Sequence, residues 1–277
     1  MPMRLVLSIL GVFFILPVFS QVKEYGSVSV ADLQQIASAG DTTSAIILFD
    51  KGSAVLEPNS TSGTVVKRHM RLKIIRKGAL REWGDFKFTI SREAQLKVKG
   101  ATYNLENGVV VKSQLEDKAI LKSRFDKNFD QITFAFPNVR EGSILEFTST
   151  YKNPDLMVPS WDFQYSIPVK WSEYSVSIPV KGLISYLSGG LTPTEHESKY
   201  EGEFQRWLMK DVPAFTYEPS MPNEDVYKAG VDFAVRFNSW PAIYSREQTR
   251  LFKKQGGGDH ERIHGPEAKN KNNFKFC

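Results

Sequence analysis

An all-β fold, an antiparallel β-sandwich with one short N-terminal helix, is what the sequence predicts, set between an apolar leader and a polar tail. Three observations predict it. Apolar side chains fall on every second residue through much of 45–240, turn-forming residues interrupt those runs at short intervals, and no helical stretches alternate with them as a parallel α/β sheet would need. The 277 residues are 41% hydrophobic, which supplies a sizeable core and excludes disorder as the main state. At roughly 150 residues per domain, the length leaves room for one large or two modest domains.

Residues 1–20 read as a signal peptide. Arg4 gives a positive start, Leu5 to Leu16 is free of charge, and Val18 and Ser20 fit the peptidase positions, leaving Gln21 as the mature N-terminus. The apolar run is about a dozen residues against roughly 20 for a membrane-spanning helix, so no stable membrane insertion is expected after cleavage. The segment 21–44 holds the helix. Ser29 caps it, Asp32 stands three residues on, Leu33, Ile36 and Ala37 share a face, and Gly40 ends it.

The strands of 45–240 follow from period two. Val66, Met70, Leu72 and Ile74 alternate with His69, Arg71 and Lys73. Ile132, Phe134 and Phe136 alternate with Thr133 and Ala135, Leu145, Phe147 and Tyr151 with Glu146 and Thr150, and Tyr174, Val176 and Ile178 with Ser175 and Ser177. One face of each is buried and one wet. Asn107-Gly108 between Ala101-Thr102-Tyr103 and Val109-Val110-Val111 is the strongest hairpin signal, because both residues tolerate positive φ. Further breaks are expected at Asp126-Lys127-Asn128, Glu141-Gly142 and Asn153-Pro154.

Residues 241–277 read as a polar basic tail, disordered or frame-shifted. From Arg246 onward it carries eight Lys and Arg against four Asp and Glu, so 8 − 4 = +4 of the chain's net +5 lies there. The folded part is close to neutral, and a nucleic-acid partner is not expected. The single cysteine, Cys277, excludes an intrachain disulfide and a multi-thiolate zinc site.

Few residues suggest chemistry, and neither a catalytic residue nor a cofactor is expected. His260-Glu261-Arg262-Ile263-His264 has the spacing of a zinc-peptidase helix, the second alternative for function, but three glycines before it and Gly265-Pro266 after it leave about a turn and a half of helix. His69 stands with Lys67, Arg71 and Lys73 on what period two makes a solvated basic strand face. Trp161, Phe163, Tyr165, Trp171 and Tyr174 admit two readings. They fill a sandwich core or domain seam, or they form an interaction surface on which sugar rings or a peptide stack.

Several motifs carry a family likeness. Tyr103-Asn104-Leu105-Glu106-Asn107-Gly108-Val109-Val110, Phe136-Pro137-Asn138-Val139-Arg140-Glu141-Gly142-Ser143-Ile144-Leu145-Glu146-Phe147, Trp161 through Val169, Asp211-Val212-Pro213-Ala214 and Glu218-Pro219-Ser220-Met221-Pro222 occur in that order. This pattern resembles the domain of unknown function 3857, an exported domain of Bacteroidetes-type bacteria that stands ahead of transglutaminase-like domains. The resemblance spans roughly 45–240. It implies a β-sandwich with no assigned catalytic residues, a transglutaminase-like domain or another envelope protein as partner, and a place in the periplasm or cell envelope of a Gram-negative bacterium. The papain-like domain that normally follows, with its Cys, His and Asp in that order, is expected to be missing, because Cys277 comes after every histidine. The expectation is a truncated or frame-shifted accessory module, with a glycan- or peptide-binding module as the alternative.

Overall fold

The computed structural model describes residues 23–35, 43–57, 63–178, 183–200, 203–218, 221 and 224–235. The expected signal peptide, the basic tail with His260, His264 and Cys277, and the helix residues Ile36, Ala37 and Gly40 lie outside the described residues.

Helix α1 (Val30–Gln34) begins as its sequence predicts. The Ser29 hydroxyl accepts from the Asp32 amide while the Asp32 carboxylate accepts from the Ser29 amide, and Leu33 is its buried residue. Strands β1 (Ala45–Glu57) and β2 (Gly63–Ile74) follow, then a turn of helix, α2 (Leu80–Trp83), and β3 (Asp85–Ser91). The middle of the chain supplies β4 (Gln95–Glu106), β5 (Val109–Gln114), β6 (Ile120–Arg124), β7 (Phe129–Ala135) and β8 (Ile144–Asn153). After these come β9 (Trp161–Asp162), β10 (Val169–Ser177), β11 (Leu183–Ser188), β12 (Glu195–Lys199), β13 (Phe204–Val212), α3 (Glu224–Tyr227) and β14 (Gly230–Val235).

The β4–β5 hairpin turns at Asn107 and Gly108, whose φ angles of 49° and 79° are those the dipeptide was expected to adopt. Between β6 and β7 the Asp126 carboxylate accepts from the amides of Asn128 and Phe129, which fixes the reversal.

An eight-stranded sheet in the order β12-β13-β10-β1-β2-β8-β4-β5 forms one layer. Two three-stranded sheets, β3-β7-β6 and β11-β14-β9, supply strands that pack against it. Phe86, Phe88 and Phe134 meet Phe147 of β8 at ring separations of 5.0–6.1 Å. Trp161 stacks on Tyr174 at 4.7 Å, and Phe233 of β14 meets Tyr174 and Trp207. These contacts belong to one continuous core. Gly52 of β1 lies beneath Trp161 and Tyr174, and a Cβ there would overlap both rings, so the close approach of strand and aromatics requires glycine.

The architecture is all-β and mostly antiparallel, with one departure. β1 and β10 pair in parallel, Ile47 opposite Val169 and Val55 opposite Ser177. Strands more than a hundred residues apart close the centre of the large sheet, a pairing that alternation within each strand cannot disclose.

Candidate functional site

Two clusters of buried charge sit on opposite faces of the large sheet. The inner cluster is built on β1 and β2, where Asp50 opposes Met70 and Arg68 opposes Gly52. Their side chains point into the core and are essentially sealed from solvent. Arg68 grips Asp50 bidentately, Nε to Oδ1 at 2.8 Å and Nη2 to Oδ2 at 2.7 Å. The Tyr165 hydroxyl donates to Asp50 Oδ2 at 2.8 Å and accepts from Arg68 Nη2 at 2.9 Å. The guanidinium also lies over Trp161, 5.1 Å from the ring centre, and 5.8 Å from Phe147. Burial alone would weaken the guanidinium's hold on its proton, but the charge and hydrogen bonds of the Asp50 carboxylate raise its pKa, so Arg68 stays ionised. Burial in turn pushes the Tyr165 phenol well above its ordinary range, keeping it a neutral donor.

The outer cluster centres on Glu146 of β8, which is fully buried. His69 Nε2 lies 2.8 Å from its Oε1, Arg71 Nη2 donates to the same oxygen at 2.6 Å, and the Gly26 amide donates to Oε2 at 2.9 Å. Burial tends to raise the Glu146 pKa, yet the hydrogen bond to His69, the charge and hydrogen bonds of Arg71 and the Gly26 amide bring it below the ordinary value. Residues 23–35 form a strap over this cluster. Arg71 reaches the carbonyls of Glu24 and Ser27, while Lys73 donates to those of Asp32, Leu33 and Gln35 at the end of α1. Lys73 thereby caps a helix C-terminus with a cation. Desolvation lowers its pKa, partly offset by Asp32.

This overturns the expectation that His69, Arg71 and Lys73 lie on a solvated face. Arg71 and Lys73 are buried because the strap covers that end of the sheet, and His69 is half-buried. Strand alternation fixes which side a residue faces and says nothing about what covers it. Acidic and basic residues placed opposite each other, as Arg71 and Glu146 are, would have been the only sequence-level signal, and it requires the β2–β8 register.

The aromatic residues expected as an interaction surface are placed differently. Trp161, Phe163, Tyr165 and Tyr174 are buried in the core, where they present no stacking face to solvent, because the β9–β14 layer and the β10 strand close over them. Trp171 alone is half-buried, with the Lys210 ammonium 4.9 Å from its ring centre. Trp161 also donates through its indole nitrogen to Ser172 at 3.1 Å. Trp161→Ala is therefore expected to cost about 3–5 kcal/mol, read as a lowered midpoint in urea denaturation.

Among the described residues no group of three or more His, Cys, Asp and Glu side chains is arranged to hold a metal ion. No helix among them is long and apolar enough to cross a membrane.

Comparison with one solved structure agrees with the architecture. The chain superposes on the crystal structure of a "putative protease" from Parabacteroides distasonis with a TM-score of 0.58 and 16% identity, over 77% of this chain and 47% of that one. The chain thus spans about half the length of that protein. Yeast leukotriene A4 hydrolase gives a TM-score of 0.36 at 6% identity, over 72% of this chain and 32% of that one. An M1 zinc metallopeptidase from Deinococcus radiodurans gives 0.29 at 9%, over 74% and 45%. No curated protein matches the chain. A family model for a domain of unknown function with a solved structure, DUF3857, matches residues 61–216, more than half of the chain and every strand from β2 to β13. The chain belongs to the DUF3857 family.

Proposed function

We infer that this domain is an exported, non-catalytic packing module that orients or presents a neighbouring transglutaminase-like domain or another protein of a Gram-negative, Bacteroidetes-type cell envelope. The observation that carries this is a set of exposed apolar side chains on β11 and α3, beside the last described strand. Tyr186 and Leu187 of β11 are 55% and 52% exposed, and Val226 and Tyr227 of α3 are 60% and 49% exposed. Helix α3 contacts β11, and the Gly189 amide donates to the Val226 carbonyl at 3.1 Å, so α3 lies beside the end of β11, whose Tyr186 and Leu187 face opposite sides of the strand. β11 is an outer strand of its sheet and pairs with β14. An outer strand flanked by apolar side chains offers backbone groups and apolar area to a covering partner.

The buried charges support the same function. Asp50 and Glu146 are each held by several donors that tie layers or the strap together, a structural use of carboxylates. In the Parabacteroides distasonis protein the matched region is part of a chain about twice as long, so there a module of this shape is joined to further sequence.

The test is binding to a transglutaminase-like domain from another family member, supplied separately and followed by calorimetry. The expected result is saturable binding that weakens at least about tenfold in Leu187→Asp/Tyr227→Asp with unchanged thermal midpoint, a difference of about 1.4 kcal/mol. No binding, or equal binding by the double variant, overturns the proposal.

A further inference from the structure

The outer face of the large sheet carries a lattice of cations that the packing function does not use. On β1, β2, β8 and β4, register places Lys51, His69, Thr148 and Lys99 in one row and Ser53, Lys67, Thr150 and Lys97 in the next. Lys152 stands in a third row, opposite Val65 and Gln95. Lys51, Lys67, Lys97, Lys99 and Lys152 are all exposed. A groove of about 270 Å³ lies beside Lys51 and Lys67, lined also by Ser53, His69, Thr148 and Thr150.

Acidic groups neutralise this face only at its Lys51 edge. Glu146 is buried beneath the strap, and Glu57 stands at the far end of β1. Glu173 on β10 pairs with Lys51 at 3.1 Å and with Arg206 at 3.5 Å. Lys67, Lys97, Lys99 and Lys152 have no carboxylate partner among the described residues. Strands spaced about 4.8 Å apart put Lys67 and Lys97, on either side of Thr150, about 10 Å apart. Such an array attracts a chain of repeated negative charges and offers hydroxyls to its polar groups.

We propose that this face binds a linear acidic polysaccharide, with the lysines meeting its carboxylates or phosphates and Ser53, Thr148 and Thr150 its hydroxyls. A folded protein partner fits less well. Interfaces between proteins concentrate apolar and aromatic groups at their centre and are depleted in lysine, whereas here lysines and hydroxyls hold the centre. A single-stranded nucleic acid calls for successive aromatic platforms, and the rows of this lattice carry no Phe, Tyr or Trp and only the half-buried ring of His69.

The test uses the full chain and an alginate-derived uronate hexasaccharide, with a neutral hexasaccharide, a thymidine oligonucleotide and poly-glutamate as competitors. Binding of the uronate is expected, weakening as salt rises to about 0.15 M, where charges more than about 8 Å apart are screened. Lys67→Glu/Lys97→Glu is expected to lose at least about tenfold in affinity, whereas Lys77→Glu/Lys87→Glu, the same charge change on exposed residues outside the lattice, retains it. Absence of uronate binding, equal loss in both double variants, or tighter binding of the oligonucleotide or poly-glutamate overturns the proposal. None of these outcomes bears on the β11–α3 surface, which the Leu187 and Tyr227 substitutions test.

Discussion

Asp50→Ala is expected to lower the stability of the domain by about 3–5 kcal/mol, because it leaves the Arg68 guanidinium charged in the core without its carboxylate. For a chain of this size that corresponds to a fall in the thermal midpoint of about 6–20 °C. Arg68 cannot escape by releasing its proton, since the guanidinium remains protonated in proteins. The Tyr165 hydroxyl loses its acceptor in the same step. Asp50→Leu/Arg68→Met, which replaces both partners with apolar side chains, is expected to be clearly more stable than Asp50→Ala, since a buried pair exchanged for packed apolar groups is often neutral. Urea denaturation of the two variants and the parent checks this. A double variant no more stable than the single one would show that Asp50 acts through something other than neutralising Arg68.

Glu146→Gln is expected to release the strap. The carboxylate gathers His69, Arg71 and the Gly26 amide, and an amide in its place leaves Arg71 buried with a weaker partner, at a cost of about 3 kcal/mol. The pH dependence has a definite sign. Glu146 has a pKa lowered from 4.5 in the folded protein, so its contribution is complete above 4.5 and is lost as pH falls through the lower folded value. Hydrogen exchange at residues 23–35 should therefore accelerate on acidification in the parent, and should already be fast and nearly pH-insensitive, after correction for intrinsic exchange, in Glu146→Gln. A strap equally protected in both proteins at neutral pH would contradict this account.

Much of the sandwich was legible because each strand carries its own period. Met70, Leu72 and Ile74 face the core in the order the sequence gives them, as do Phe134, Phe147 and Val176. The Ser29–Asp32 cap and the Asn107–Gly108 turn were legible because their chemistry is confined to a few adjacent residues. The charge clusters were not. Asp50 meets Arg68 only through the β1–β2 register, Tyr165 joins them from 97 residues beyond Arg68, and Glu146 meets its strap amide at Gly26 across 120 residues. The same reason hides the lysine lattice, whose rows exist only once β1, β2, β8 and β4 lie side by side. The aromatic run from Trp161 to Tyr174 drew attention by composition, yet composition does not separate a platform from a core. The layer above Gly52 decides it.

The central claim is that the buried carboxylates and His69 serve structure, and that the domain works by contact. The most direct measurement is turnover by the purified chain, with peptide hydrolysis and glutamine acyl transfer followed from acid to alkaline pH. The account predicts no turnover above that of a heat-denatured sample. Turnover that disappears in His69→Ala, with the thermal midpoint unchanged, would contradict it.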